Sequence, residues 1–338
     1  MCAAWCNKRL VAVLVSGQII SILVAMTGLM STNLAEHGFL FPVLQSMGFY
    51  LLLSLSLLSF PFPLKMPVYL YAFLAISDME ANFLSVTAYQ YTDITSILLL
   101  NSLTIPWVVL LSYFVLKKRY NLKQVAAVIV CLLGLGLIVV SDILRERSRG
   151  NQSSPTAWIG DLICVGSSLM YACQNVLQEY MLKRLGKTML GSDSEYLGML
   201  GLFGFLFSVI QWTIIERSEV TAAGPGLWTD EVAGLLVGFS VTMVCLYLLL
   251  TWFIGSFDAS LFNMNILTSS IYGILLDFSQ NKSSPRIATD WMYVLAYAFI
   301  VIGVVVYSVN DRTTVAGKDE PEDVAISASC SERFLSPS

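Results

Sequence analysis

The sequence predicts an all-α polytopic membrane protein, with ten transmembrane helices in an inverted five-plus-five repeat. Three observations carry this. The 338 residues are 56% apolar and only 12% charged, whereas soluble domains are about 25% charged. The apolar residues fall into ten runs, each able to cross a hydrocarbon core of about 30 Å as a helix. A nine-residue pattern in the fourth run returns in the ninth.

The first run, 10–30, follows Lys8-Arg9. It exceeds the roughly 7–15 apolar residues of a signal peptide, and no clear small-residue cleavage site follows. It reads as an uncleaved first span. The others are 39–60, 67–89, 93–116, 122–141, 157–180, 196–215, 232–254, 259–278 and 290–308. Connections are short except 142–156, 183–195 and 216–231. The domains expected are a first repeat at 1–150, a second at 151–310 and a disordered cytoplasmic tail at 311–338, polar and rich in Ser and acid.

Orientation follows the Lys and Arg balance. With a cytoplasmic N-terminus, Lys8, Arg9, Lys65, Lys117, Lys118, Arg119, Lys123, Lys183, Arg184, Lys187, Arg312, Lys318 and Arg333 lie inside. Arg145, Arg147, Arg149, Arg217, Lys282 and Arg286 lie outside. Both termini are therefore expected in the cytoplasm. Sequons at Asn151 and Asn281 fall outside in this arrangement, and Cys2 and Cys6 are palmitoylation candidates.

The formal net charge of -4 is small and the basic residues sit in short loops, so no nucleic-acid partner is expected. The seven Cys show no zinc spacing, and the one His, His37, lies in a loop. No cofactor, metal or catalytic constellation is expected, which argues against an intramembrane enzyme.

The pattern Ser96 to Thr104, with Asn101, Leu103 and Thr104, returns as Ser260 to Thr268, with Asn265, Leu267 and Thr268. Five spans separate the copies, and an odd number inverts the second in the membrane. Asn101 and Thr104 share one helical face, as do Asn265, Thr268 and Tyr272. If the two stripes meet across a pseudo-twofold axis, they line a polar cavity.

The third run carries Asp78-Met79-Glu80-Ala81-Asn82 near its middle. Intramembrane acids are costly and mark solute or proton paths. Turning about 100° per residue, Asp78, Asn82, Ser85 and Tyr89 form one stripe, and Glu80 points elsewhere. Proton coupling and recognition of a substrate amine are both open, as is a packing role. Gln174, Asn175 and Gln178 of the sixth run should face protein or water. Glu179 suits an i,i+4 pair with Lys183 or a gate. Gly198, Gly201 and Gly204, and Gly134 with Gly136, allow close helix contact.

Every Lys and Arg lies in a loop or at the end of a run. A nucleotide diphosphate needs cations, a metal or a helix terminus, so a neutral or cationic solute is easier to accept.

These landmarks resemble subfamily F of solute carrier family 35, within the EamA-like drug/metabolite transporter superfamily. They include Gly17-Gln18, Leu34-Ala35-Glu36, the Asp78 to Asn82 motif, Ala88 to Thr92, Cys131 to Gly134, Gly160-Asp161, Asn175, Glu179-Tyr180 and Leu197 to Gly204. The resemblance implies the drug/metabolite transporter fold, alternating access and no enzyme activity. The expected function is secondary-active transport of a small polar organic solute, nucleobase- or nucleoside-like, with proton coupling open. A nucleotide-sugar antiporter and a nontransporting receptor or scaffold are the alternatives. Expected partners are a small-molecule solute, protons and the bilayer, and a homodimer is allowed. The membrane is either endomembrane (Golgi or ER) or plasma membrane.

Overall fold

A computed structural model describes residues 2–59, 64–88, 100–149, 157–185, 191–269, 272 and 291–310. Both sequons, the C-terminal segment 311–338, Tyr89 and the start of the fourth run lie outside these residues.

Eleven α-helices are described: α1 Cys2–Glu36, α2 Pro42–Ser54, α3 Val68–Ala88, α4 Thr104–Val115, α5 Leu122–Arg149, α6 Ala157–Leu185, α7 Gly191–Ile215, α8 Arg217–Ala223, α9 Asp230–Ser256, α10 Ala259–Ile266 and α11 Trp291–Asn310. Their ends follow local chemistry. The helix α1 stops where Gly38 takes a φ of 80°. There Phe39 N–H donates to the Leu34 carbonyl and Gly38 N–H to that of Ala35, a glycine-terminated cap with Leu34 and Phe39 in apolar contact. Pro42 opens α2, where a missing N–H costs nothing. Thr229 caps α9, its side chain accepting from Val232 N–H, with Asp230 and Glu231 in the first turn.

Three helical stretches, Leu10–Glu36, Ser194–Ile215 and Asp230–Ser256, are long and apolar enough to cross a membrane. Pro42–Leu58, Thr104–Val115, Leu122–Leu137 and Val294–Asn310 are shorter apolar helices. The helices α3 and α6 fall in neither group because Asp78, Glu80 and Asn82, and Gln174 and Asn175, pull their hydropathy down.

The partition is inside out relative to a soluble protein. Leu206, Ile210 and Ile214 make an exposed apolar stripe on α7, and Val237, Val241, Leu248 and Trp252 make one on α9. Asp78, Gln178, Glu179, Glu195 and Asn265 are buried. Apolar surface outside and polar groups inside suit a bilayer. One apolar core joins residues of α1, α2, α3, α4, α5, α6, α7, α9, α10 and α11.

Small residues set the closest contacts. On α7, a Cβ built on Gly198 would meet Leu57, one on Gly201 the α2 backbone, and one on Gly204 the Tyr50 ring. The helix α5 meets α11 in the same way, with Gly134 against the Ala296 carbonyl and Gly303 against Ala127 and Cys131. Gly136 was expected to share this role, but nothing lies within 4 Å of its Cβ position. It is two residues from Gly134, about 200° around the helix.

Candidate functional site

Tyr71, Leu74, Ala75, Asp78 and Ala81 are among the buried residues of α3. Spacings of three and four place them on one face, so Asp78 enters the core with its apolar neighbours, 1% exposed. Its Oδ2 accepts the Tyr50 hydroxyl of α2 at 2.6 Å. The Tyr247 hydroxyl of α9 donates to Oδ1 and Oδ2, both at 2.8 Å. Phe49 lies against both tyrosines, its ring centroid 4.1 Å from that of Tyr50 and 5.3 Å from that of Tyr247. Asp78 has no ion-pair partner among the described residues. Charge-assisted hydrogen bonds are the strong ones, and here they offset the burial of a carboxyl group.

Asn82 continues the stripe. Its Nδ2 donates to the Asp78 carbonyl at 2.9 Å, and its Oδ1 accepts the Tyr171 hydroxyl of α6 at 2.9 Å. Ser167 of α6 donates to the Ala81 carbonyl at 2.9 Å. Glu80 points away, as expected, and meets Gln211 Nε2 of α7 at 3.3 Å.

Both segments that carry the repeated pattern contain a helix break. Leu103 N–H donates to the Leu100 carbonyl just before α4, and Thr268 N–H to the Asn265 carbonyl just after α10. The Asn265 carbonyl also accepts the Ser21 hydroxyl of α1 at 2.9 Å, and Thr268 Oγ1 donates to Ser21 Oγ at 2.8 Å. Gly17 admits the Asn265 side chain, which its Cβ would strike. Tyr272 donates to Gln18 of α1 at 2.8 Å. On the other side, Asn101 Oδ1 accepts the Cys164 thiol of α6 at 3.3 Å, and Thr104 is buried. The hydrogen bonds of the two stripes therefore diverge, Asn265 toward α1 and Asn101 toward α6.

Gln174, Asn175 and Gln178 are buried, as expected of amides kept from lipid. Asn175 Nδ2 donates to Asn263 Oδ1 of α10 at 3.2 Å.

Glu179 does more than pair along its own helix. It binds Lys183 in the expected i,i+4 pair, but its Oε1 also lies 2.6 Å from Lys118 Nζ. Its Oε2 accepts the Ala259 N–H at the start of α10, at 2.9 Å. Asp258 caps α10 by accepting Leu261 N–H at 2.6 Å. Its Oδ2 lies 3.5 Å from Lys118 Nζ and 3.2 Å from the Tyr307 hydroxyl of α11. Burial alone would lower the Lys118 pKa, but the charges of Asp258 and Glu179 outweigh it and hold the ammonium above its usual range. Against burial, which would raise it, the Lys118 charge holds the Asp258 carboxyl below its usual range.

Sequence reasoning missed Tyr50 and Tyr247, and counted Lys118 only among the cations that set orientation. A buried tyrosine hydroxyl usually finds a hydrogen-bond partner, which is the signal that could have linked the tyrosines to an intramembrane acid.

The inside-out partition and the buried polar interior define a membrane-embedded helical protein. The profile of solute carrier family 35 (SLC35F) matches residues 6–309. The chain is similar to solute carrier family 35 member F2 of Mus musculus, 35% identical over 312 residues, covering 88% of this chain and 79% of that one. Member F2 of Xenopus tropicalis is 34% identical over 312 residues, covering 86% and 74%. One crystal structure shares the fold, with a TM-score of 0.66 and 16% identity over 87% of this chain and 96% of that one. The chain belongs to solute carrier family 35.

Proposed function

We propose that this protein is a secondary-active transporter of a small polar organic solute without phosphate, nucleobase- or nucleoside-like, moved by alternating access and coupled to protons through Asp78. The observation that carries this reading is the Asp78 carboxyl, buried within a span and held by hydroxyls from α2 and α9 rather than by a cation. A group that can take a proton, joined to helices of both halves, suits a coupling site.

The two halves are 1–150 and 151–310, inverted relative to each other. Helix packing supports this. Under the exchange of each span with the one five later, α3 on α6 becomes α9 on α1, and both pairs pack. Likewise α4 on α6 becomes α10 on α1, and α3 on α7 becomes α9 on α2. The self-related pairs, α2 with α7 and α5 with α11, also pack. The helix breaks beside Asn101 and Asn265 suit solute positioning, because discontinuous helices expose backbone dipoles at transporter sites. Glu80, Asn82, Tyr89, Thr104, Gln174, Asn175, Thr268 and Tyr272 complete the proposed path. In this conformation the half-buried Lys118 is paired with Glu179 and Asp258, so it does not offer a diphosphate a free cation.

Proteoliposomes test this with labelled nucleobases, nucleosides and uridine or guanosine diphosphate sugars, with and without an imposed pH gradient. Saturable, gradient-stimulated uptake of a nucleobase or nucleoside is expected. Uptake of the nucleotide sugars alone would overturn the solute class, and solute binding without flux would overturn transport.

A further inference from the structure

The ion cluster beyond α4 stands apart from Asp78. Its members come from the α4–α5 connection, α6, the junction of α9 and α10, and α11. Glu179 is fully buried and Asp258 is 2% exposed. The Lys118 side chain is 16% exposed. Lys118 is the one member contributed by 1–150; Glu179, Lys183, Asp258 and Tyr307 all belong to 151–310. The Tyr120 hydroxyl, 3.1 Å from Ser260 Oγ, crosses between the same segments.

The backbone turns sharply to aim Lys118 inward. Lys117 takes a φ of 53°, left-handed and disfavoured for a side chain other than glycine. Such outliers persist where the surroundings hold them and cluster at switch regions. The charges balance, two carboxylates against two ammoniums.

From this geometry we infer that Lys118 is a releasable latch that closes this end of the solute path by bridging Glu179 and Asp258 across the two halves. The inference rests on the alternating-access reading. Release strands neither carboxylate. Glu179 keeps Lys183 and the Ala259 N–H, and Asp258 keeps the Leu261 N–H and Tyr307 hydroxyl. Lys118 sits at a chain end of α4, where its long stem can carry the charge to water. A bond costly to bury but safe to break is what a reversible closure needs.

Thiol labelling tests the latch without a transport readout. Ser260, fully buried, is replaced by Cys, and its reaction with a polar maleimide is followed in detergent, with the same chain lacking Ser260→Cys as the background. Ser260→Cys alone should react slowly. Adding Lys118→Met with Asp258→Asn, which keeps the cluster neutral and an N-cap at 258, should raise the rate about tenfold or more as the open form gains population. Asp258→Asn alone, the milder variant, should give an intermediate rate, and Lys118→Arg should stay slow. Equal rates in the parent and both Asp258 variants would overturn the latch. If no solute is carried yet the rates respond, the closure stands and the proposed solute class falls. If uptake is found and the rates do not move, only the latch falls.

Discussion

The Tyr247 hydroxyl stands 2.8 Å from each carboxylate oxygen of Asp78, joining two residues 169 apart in sequence. Tyr50 reaches the same carboxyl from α2. Removing one donor leaves the other, so Tyr247→Phe should lower stability by the worth of a hydrogen bond to a charged group, about 1.5–3 kcal/mol. Tyr50→Phe with Tyr247→Phe should cost more than either alone. Thermal unfolding in detergent checks both.

Gly201 sits where α7 meets the backbone of α2. A Cβ there would stand 2.7 Å from the Tyr50 carbonyl oxygen and against the Ser54 nitrogen, atoms that cannot rotate away. Gly201→Ala should destabilise by about 1–3 kcal/mol through overpacking. Gly136, with nothing within 4 Å, is the control, and Gly136→Ala should be neutral or slightly stabilising.

Glu216, 3% exposed, accepts the N–H groups of Val43 and Leu44 at 2.8 and 2.9 Å. These open α2 and have no partner within the helix. Glu216→Ala should cost about 1–2 kcal/mol, the worth of a helix cap, and Glu216→Gln should cost less because one acceptor oxygen remains. Chemical or thermal unfolding of the three proteins gives the order.

His37 bonds the Asn33 carbonyl at 2.8 Å and Glu231 at 3.1 Å, linking the end of α1 to the start of α9. The Asn33 carbonyl, then Glu231, raise its pKa above 6.5. A raised folded value means the link is complete below pH 6.5 and is lost as pH rises through the higher folded value. With one His in the chain, imidazole NMR reads this directly. The midpoint should lie above 6.5 and fall in Glu231→Gln.

The burial of Asp78 was legible because a carboxylate inside an apolar run has few explanations. The face of α3 was readable for the same reason, since Asp78 and Asn82 are four apart and Glu80 falls off their stripe. The partners were not. A tyrosine in a membrane span reads equally as an interfacial anchor, and no local rule pairs Tyr50 with Tyr247. Lys118 was hidden by its position. A Lys after an apolar run normally reaches for water, and only the left-handed turn at Lys117 sends it inward. The Asn101 and Asn265 stripes were found by their repeat, but which neighbour each meets depends on packing that a linear pattern does not encode.

The most direct measurement is solute accumulation in proteoliposomes under an imposed pH gradient, for wild type and Asp78→Asn, with counterflow exchange of the same solute measured alongside. Wild type should concentrate the solute above its external level. Asp78→Asn should exchange it but fail to concentrate it. Equal accumulation by the two proteins would contradict the coupling role of Asp78.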